Sequence, residues 1–248
     1  MGRSMQNSGL SRRSFFRGAC AGAVGVAGGA LLPQVFAADV EKKVAISPDE
    51  ALNRLKEGNQ NFLQDKQSTP NTLGSERRLE IARSQSPFAV LVSCSDSRVP
   101  PELLFGRGLG ELFIVRNAGN TVDTVALGSI EYAVYALGVS LIVVLGHERC
   151  GAVDAALSVV EKNATYPGSL GQMIEPIIPA VLKAKANCNC ATNHDELLDA
   201  AVRENVQRIV ARLRTSEPVL LNPLREGKLK IVGARYDLDD GRVDFFES

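Results

Sequence analysis

SLIVVLGHERCG, Ser140 to Gly151, decides the fold. Its apolar run is continuous rather than alternating, the mark of a strand buried on both faces of a parallel sheet. The run ends in Gly146 and His147, and Cys150 and Gly151 follow where a helical pattern begins near Ala152. Three further runs have the same character: FAVLVSC (Phe88–Cys94), ELFIVRN (Glu111–Asn117) and KLKIVGARY (Lys228–Tyr236). Helical patterns lie between or beside them at Val122–Leu137, Ala152–Lys162, Leu170–Ala186 and His194–Arg214. Strands that alternate with helices predict an α/β fold with crossover connections. GRVDFFE (Gly241–Glu247) follows the turn signal LDDG and predicts a returning antiparallel strand. The expectation is a single α/β domain. About four mostly parallel strands form its central sheet, with an antiparallel edge strand and flanking helices.

The N-terminal helix announces itself locally. In ISPDEALNRLKEGNQNFLQ (Ile46–Gln64), Ser47 and Glu50 make a capping box and Pro48 takes the first helical position. Leu52, Leu55, Phe62 and Leu63 fall on one side of this arm, about residues 48–65. A polar linker from Lys66 to Ser75 separates it from the first strand, so the arm is expected to pack on a partner subunit.

Of 248 residues, 45% are apolar and 23% charged, ordinary for a globular domain with a substantial core. The formal charge is zero, which gives nucleic-acid binding no electrostatic footing. Residues 1–37 differ in kind. Arg12 and Arg13 precede two phenylalanines, and a run of Ala, Gly, Val and Leu spans Ala19–Leu32 before the small residues of VFAA. That order predicts an export signal of twin-arginine type, and with it a periplasmic mature chain of residues 38–248. The apolar run is shorter than the roughly 20 residues that a stable span needs. Without residues 1–37 the chain keeps 24 basic and 28 acidic residues, a net charge of −4. Twin-arginine substrates cross already folded, which favours a cofactor acquired before export.

Cys20 leaves with the signal; four cysteines remain to be sorted. Cys188 and Cys190 lie together in ANCNCATNHD, either as an exposed loop link or as a redox-sensitive pair. Cys94 and Cys150 each close an apolar run. In VLVSCSDSRVPPE (Val90–Glu102), Asp96 and Arg98 stand at alternate positions beyond the thiol, spaced for a charge-assisted pair. In open α/β sheets, sites form at the carboxyl ends of strands. Two neighbouring parallel strands would bring Cys94, His147 and Cys150 to one edge, three protein ligands for Zn²⁺ with a fourth position open. A Cys94–Cys150 disulfide is the competing reading, and it leaves His147, Asp96 and Arg98 without a role.

C-S-D-S-R (Cys94–Arg98) followed by H-E-R-C-G (His147–Gly151) resembles the β class of carbonic anhydrases. VRNAGN (Val115–Asn120), IEYAV (Ile130–Val134) and LGHERCGAV (Leu145–Val153) are similar to segments of that family, and the resemblance runs from Pro48 to the C-terminus. It implies one zinc per chain, held by Cys94, His147 and Cys150, and reversible hydration of CO₂ to bicarbonate. Asp96 is then either held off the metal by Arg98 or itself a ligand. The resemblance also implies a substrate pocket of Gln85, Phe113, Tyr132 and the Gly151 N–H, and a homodimer or higher homo-oligomer. Leu91 stands where a bicarbonate-regulated subgroup carries tryptophan, which points to the plant-like subgroup. Glu148 departs from the commoner Ser or Thr, and Arg116 is expected to pair with a charge at a subunit interface. A related zinc hydrolase acting on COS or CS₂, and a zinc-stabilised binding protein, remain alternatives.

Overall fold

The computed structural model describes residues 46–66, 73–188, 193–216 and 218–246, all within one compact unit. The expected export signal and Cys190 lie outside these residues. Five strands form one sheet in the order β2-β1-β3-β4-β5: β1 Ala89–Ser93, β2 Leu112–Arg116, β3 Leu141–His147, β4 Lys230–Tyr236 and β5 Val243–Phe246. Strands β1 to β4 run parallel, and β5 pairs antiparallel with β4. Every residue of β1 and β3 is buried, as continuous apolar strands covered on both faces require.

The helices are α1 Pro48–Leu63, α2 Ser75–Ile81, α3 Pro101–Leu104, α4 Thr124–Tyr135, α5 Gly151–Lys162, α6 Ser169–Ile174, α7 Ile178–Asn187, α8 His194–Arg214 and α9 Leu221–Arg225. Successive strand residues point to opposite faces, and the core divides accordingly. Val90, Val92, Ile142 and Val144 pack against Ile130 of α4 and Val206, Ile209 and Val210 of α8. Leu91, Val143 and Leu145 pack against Leu52 and Leu55 of α1 and Leu104 of α3. A third cluster lies where α5, α7 and α8 meet, and it includes Cys94 and Cys150.

Two expectations change. Helix α1 starts as the sequence predicts, with the Ser47 side chain accepting from the Glu50 N–H, but it docks on its own chain rather than on a partner. Ala51 and Leu55 are fully buried against the sheet. Asn59 fixes this docking by donating to the Gly241 carbonyl at 3.0 Å and accepting from the Val243 N–H at 2.9 Å. The pattern over Leu170–Ala186 is two helices joined by a 3₁₀ turn at Glu175–Ile177. Pro176 and Pro179 cannot supply the N–H that a continuous helix needs at those positions.

Candidate metal centre

Strands β1 and β3 are adjacent and in register up to Ser93 opposite Leu145, so their carboxyl ends deliver Cys94 and His147 to one edge of the sheet. The chain then turns through Arg149 in the left-handed region (φ 50°), and Cys150 becomes the N-cap residue of α5. The Cys94 and Cys150 sulfurs are 4.0 Å apart and both thiols are free, which sets aside the disulfide reading. The two sulfurs and an imidazole nitrogen lie within 4.8 Å of one another. All three residues are buried.

Each group is oriented by backbone. The His147 Nδ1 lies 2.9 Å from the Glu148 carbonyl. A carbonyl only accepts, so Nδ1 carries the proton and Nε2 presents a lone pair. That Nε2 is buried without a hydrogen-bond partner. The Gly119 N–H donates to the Cys94 sulfur at 3.3 Å. The Cys94 thiol is lowered to about 4, first by the hydrogen bond from Cys150 and against the opposing effect of burial. Cys150 is pushed up by the same partner and by burial. Two free thiols beside an orphaned imidazole lone pair form a soft and borderline donor set. This arrangement fits a metal ion of the kind that thiolate and imidazole bind.

Asp96 borders the same space. Its Oδ2 is 3.8 Å from His147 Nε2, too far for a hydrogen bond. Arg98 grips the carboxylate through Nε to Oδ1 at 3.0 Å, Nη2 to Oδ2 at 2.8 Å and its own N–H to Oδ1 at 2.9 Å. These bonds hold the Asp96 carboxyl well below the usual carboxylate range. Arg116 donates to the Cys94 carbonyl at 2.8 Å and the Asp96 carbonyl at 2.6 Å. It thereby fixes the backbone that carries both residues. The composition of the strand shows a charge there but not that its targets are carbonyls.

The other site candidates are placed differently. Phe113 and Tyr132 meet, with ring centroids 6.4 Å apart. Phe113 is in register with Val90, four residues before Cys94, so the pair stands about 13 Å back along the sheet. Gln85 is exposed in the segment that leads into β1, and Gly151 is exposed at the start of α5. Cys188 is disulfide-bonded at the end of α7, against the cluster that holds Cys94 and Cys150. Glu148, Asp237 and Asp239 also converge, but arginines neutralise them: Arg149 meets Asp239 at 2.6 Å and Glu148 at 3.2 Å, and Arg235 meets Asp237 at 2.9 Å. Glu148 thus ties the ligand turn to the β4–β5 hairpin, where it also accepts from the Leu238 N–H.

The carbonic anhydrase family profile matches residues 89–243, which includes all three candidate ligands and strands β1 to β4. The chain belongs to the carbonic anhydrase family, in its β class. Carbonic anhydrase 2 of Mycobacterium tuberculosis is 40% identical over 197 residues, 79% of this chain and 92% of that protein. A carbonic anhydrase of Mycolicibacterium smegmatis is 40% identical over 199 residues, 80% of this chain and 93% of that one. Among solved structures, a tetrameric β-carbonic anhydrase of Sordaria macrospora superposes with a TM-score of 0.63 at 28% identity, over 68% of this chain and 85% of that one. The β-class fold is therefore shared well beyond the ligand motifs. Among the described residues no helix is long and apolar enough to cross a membrane.

Proposed function

We propose that this β-carbonic anhydrase catalyses the reversible hydration of carbon dioxide to bicarbonate and a proton, with one zinc ion per chain held by Cys94, His147 and Cys150. The observation that carries the reading is the orphaned Nε2 of His147, buried beside two free sulfurs, with Asp96 restrained at the border of that space. When bound, zinc supplies Lewis acidity that makes water a nucleophile near neutral pH. The chain's own residues do the rest. Arg98 keeps Asp96 ionised, so the carboxylate accepts the hydrogen bond of the attacking water and orients it. Arg116 keeps the Cys94–Asp96 backbone from shifting. Gly151 is exposed in the first turn of α5, where the helix N-terminus favours an anion such as bicarbonate.

Two finer points belong to the same reading. Val125, Tyr132 and Tyr135 are exposed on α4 at 78%, 52% and 82%, beside edge strand β2. An apolar helix face next to an open strand edge supports a homo-oligomer, in which Gln85, Phe113 and Tyr132 reach substrate at a subunit boundary. The paired arginines and small-residue run of residues 1–37 support export to the periplasm.

Stopped-flow CO₂ hydration by the zinc-loaded protein tests the activity. Fast turnover that rises with pH is the expected result. Full zinc content with no hydration at any pH would overturn it, and parallel assays of COS and CS₂ would then locate the substrate.

A further inference from the structure

Helix α8 buries Leu198, Ala201, Val202, Val206 and Ile209, and Asn205 stands among them at 3% exposure. An amide in an apolar stripe costs free energy unless it is hydrogen-bonded. The Asn205 Nδ2 donates to the Gly119 carbonyl at 2.9 Å. The N–H of that same glycine donates to the Cys94 sulfur, so Gly119 is held at both its polar ends. Its backbone is left-handed at φ 67°, and Asn120 beside it is left-handed as well. Glycine takes this conformation freely, so the turn is set by its hydrogen bonds and by what packs on it.

We infer that Asn205 is a positioning residue for the metal centre: by anchoring the Gly119 carbonyl it fixes the N–H on the Cys94 sulfur and slows the loss of metal. The inference rests on the zinc reading above. The Gly119 N–H is the partner one step removed from the ligand, and removal of such a partner characteristically weakens metal binding about 10- to 100-fold. Asn205 acts through that glycine, so this range bounds its effect from above. Asn205 lies 55 residues downstream of the last ligand in sequence, and only the fold connects it to the first.

Zinc release to excess chelator from the loaded protein tests this, in wild type, Asn205→Leu, Asn205→Ala and Ile209→Ala. Ile209 is buried one turn further along α8 and provides a destabilised control without the amide. The expected result is faster release in both Asn205 variants, by up to about 100-fold, and release at the wild-type rate in Ile209→Ala. Melting of the metal-free forms gauges how far each variant is destabilised. Cobalt-substituted protein supplies a second readout: the thiolate-to-cobalt charge-transfer band shifts in the Asn205 variants alone. Asn205→Ala removes the donor without asking the site to hold a leucine, which guards against a misfolded first variant. Wild-type release and spectrum in either Asn205 variant would overturn the positioning role, as would equal acceleration in Ile209→Ala. A wild-type protein that retains no zinc would overturn the metal reading and this inference together, and the wild-type arm shows which has failed.

Discussion

Arg98 holds both oxygens of Asp96, Nε on Oδ1 at 3.0 Å and Nη2 on Oδ2 at 2.8 Å. Planar guanidinium-to-carboxylate pairing of this kind fixes orientation as well as charge. The carboxyl is lowered chiefly by that hydrogen bond, with burial opposing. A lowered folded value means that the stabilisation is present above the unfolded value and is lost only as pH falls through the folded one. Asp96 therefore stays ionised from mildly acid to alkaline pH, and the rise of activity over that range belongs to another group. Asp96→Asn should lower kcat/KM by about 100-fold or more across the whole profile without moving its inflection. Stopped-flow assays of the two proteins over pH check this, and a displaced inflection would show that Asp96 sets the profile.

Arg116 acts on the same segment from β2, through carbonyls rather than a carboxylate. Arg116→Leu leaves two carbonyls without their charged donor, and each hydrogen bond to a charged group contributes about 1.5–3 kcal/mol. The expected outcome is a melting point lowered by several degrees and hydration lowered at least about tenfold, with near-normal zinc content by atomic absorption. Normal hydration in the variant would remove Arg116 from the account of the site.

Metal removal has a calculable effect on stability. At zinc about 1,000-fold above its dissociation constant the folded state gains about 4 kcal/mol. Each kcal/mol moves the melting point of a chain of this size by about 2–4 °C. Chelation should therefore lower it by about 8–16 °C, and zinc should restore it. Substituting His147→Ala should abolish that difference, because the lone pair that completes the donor set is gone. Calorimetry with and without chelator reads both.

The strands were legible because parallel strands buried on both faces must be continuously apolar, and Leu141–Leu145 and Val90–Val92 have no solvent side. The three candidate ligands were legible for a related reason: a thiol or an imidazole at the end of such a strand is chemically distinctive. Backbone hydrogen-bond partners leave no letter. The Gly119 N–H on Cys94 and the Glu148 carbonyl on His147 depend on turns that any of several sequences could make. Asn205 reads as one polar residue in a helix until α8 is laid against the turn at Ala118–Asn120. The seat of α1 on its own sheet is not legible, because an apolar helical face specifies burial but not which core receives it. The break between α6 and α7 was available in Pro176 and Pro179, which outweigh the helical periodicity around them.

Gly119 is the position where the turn depends most on one residue. A Cβ there would lie 2.6 Å from the Ile177 Cδ1 and 3.1 Å from the Ala152 Cβ, and φ of 67° is costly for alanine. Gly119→Ala should destabilise the protein by about 1–3 kcal/mol and speed zinc release. Ile177→Val removes the clashing methyl and costs about 0.5–1.5 kcal/mol alone. In the double variant that cost should be partly recovered, while the strain at φ remains. Urea unfolding of the four proteins tests the coupling, and simple additivity would show that Ile177 does not confine the turn.

Docking of α1 on its own chain makes the last prediction. Gly58 meets the Phe105 carbonyl so closely that a Cβ would lie 2.0 Å from its oxygen, and backbone cannot yield as a side chain does. One residue on, Asn59 is 2% exposed and joins the Gly241 carbonyl to the Val243 N–H. Asn59→Leu strands both backbone groups in the core, where an unsatisfied group costs about 1–3 kcal/mol, so a loss of about 2–6 kcal/mol follows. Gly58→Ala should loosen the helix without removing a hydrogen bond. If α1 belongs to its own chain, both losses are independent of protein concentration. Chemical denaturation at dilutions where the chain is monomeric decides this: both variants should still lower the midpoint there, whereas an arm seated on a partner would leave the monomer's midpoint unchanged.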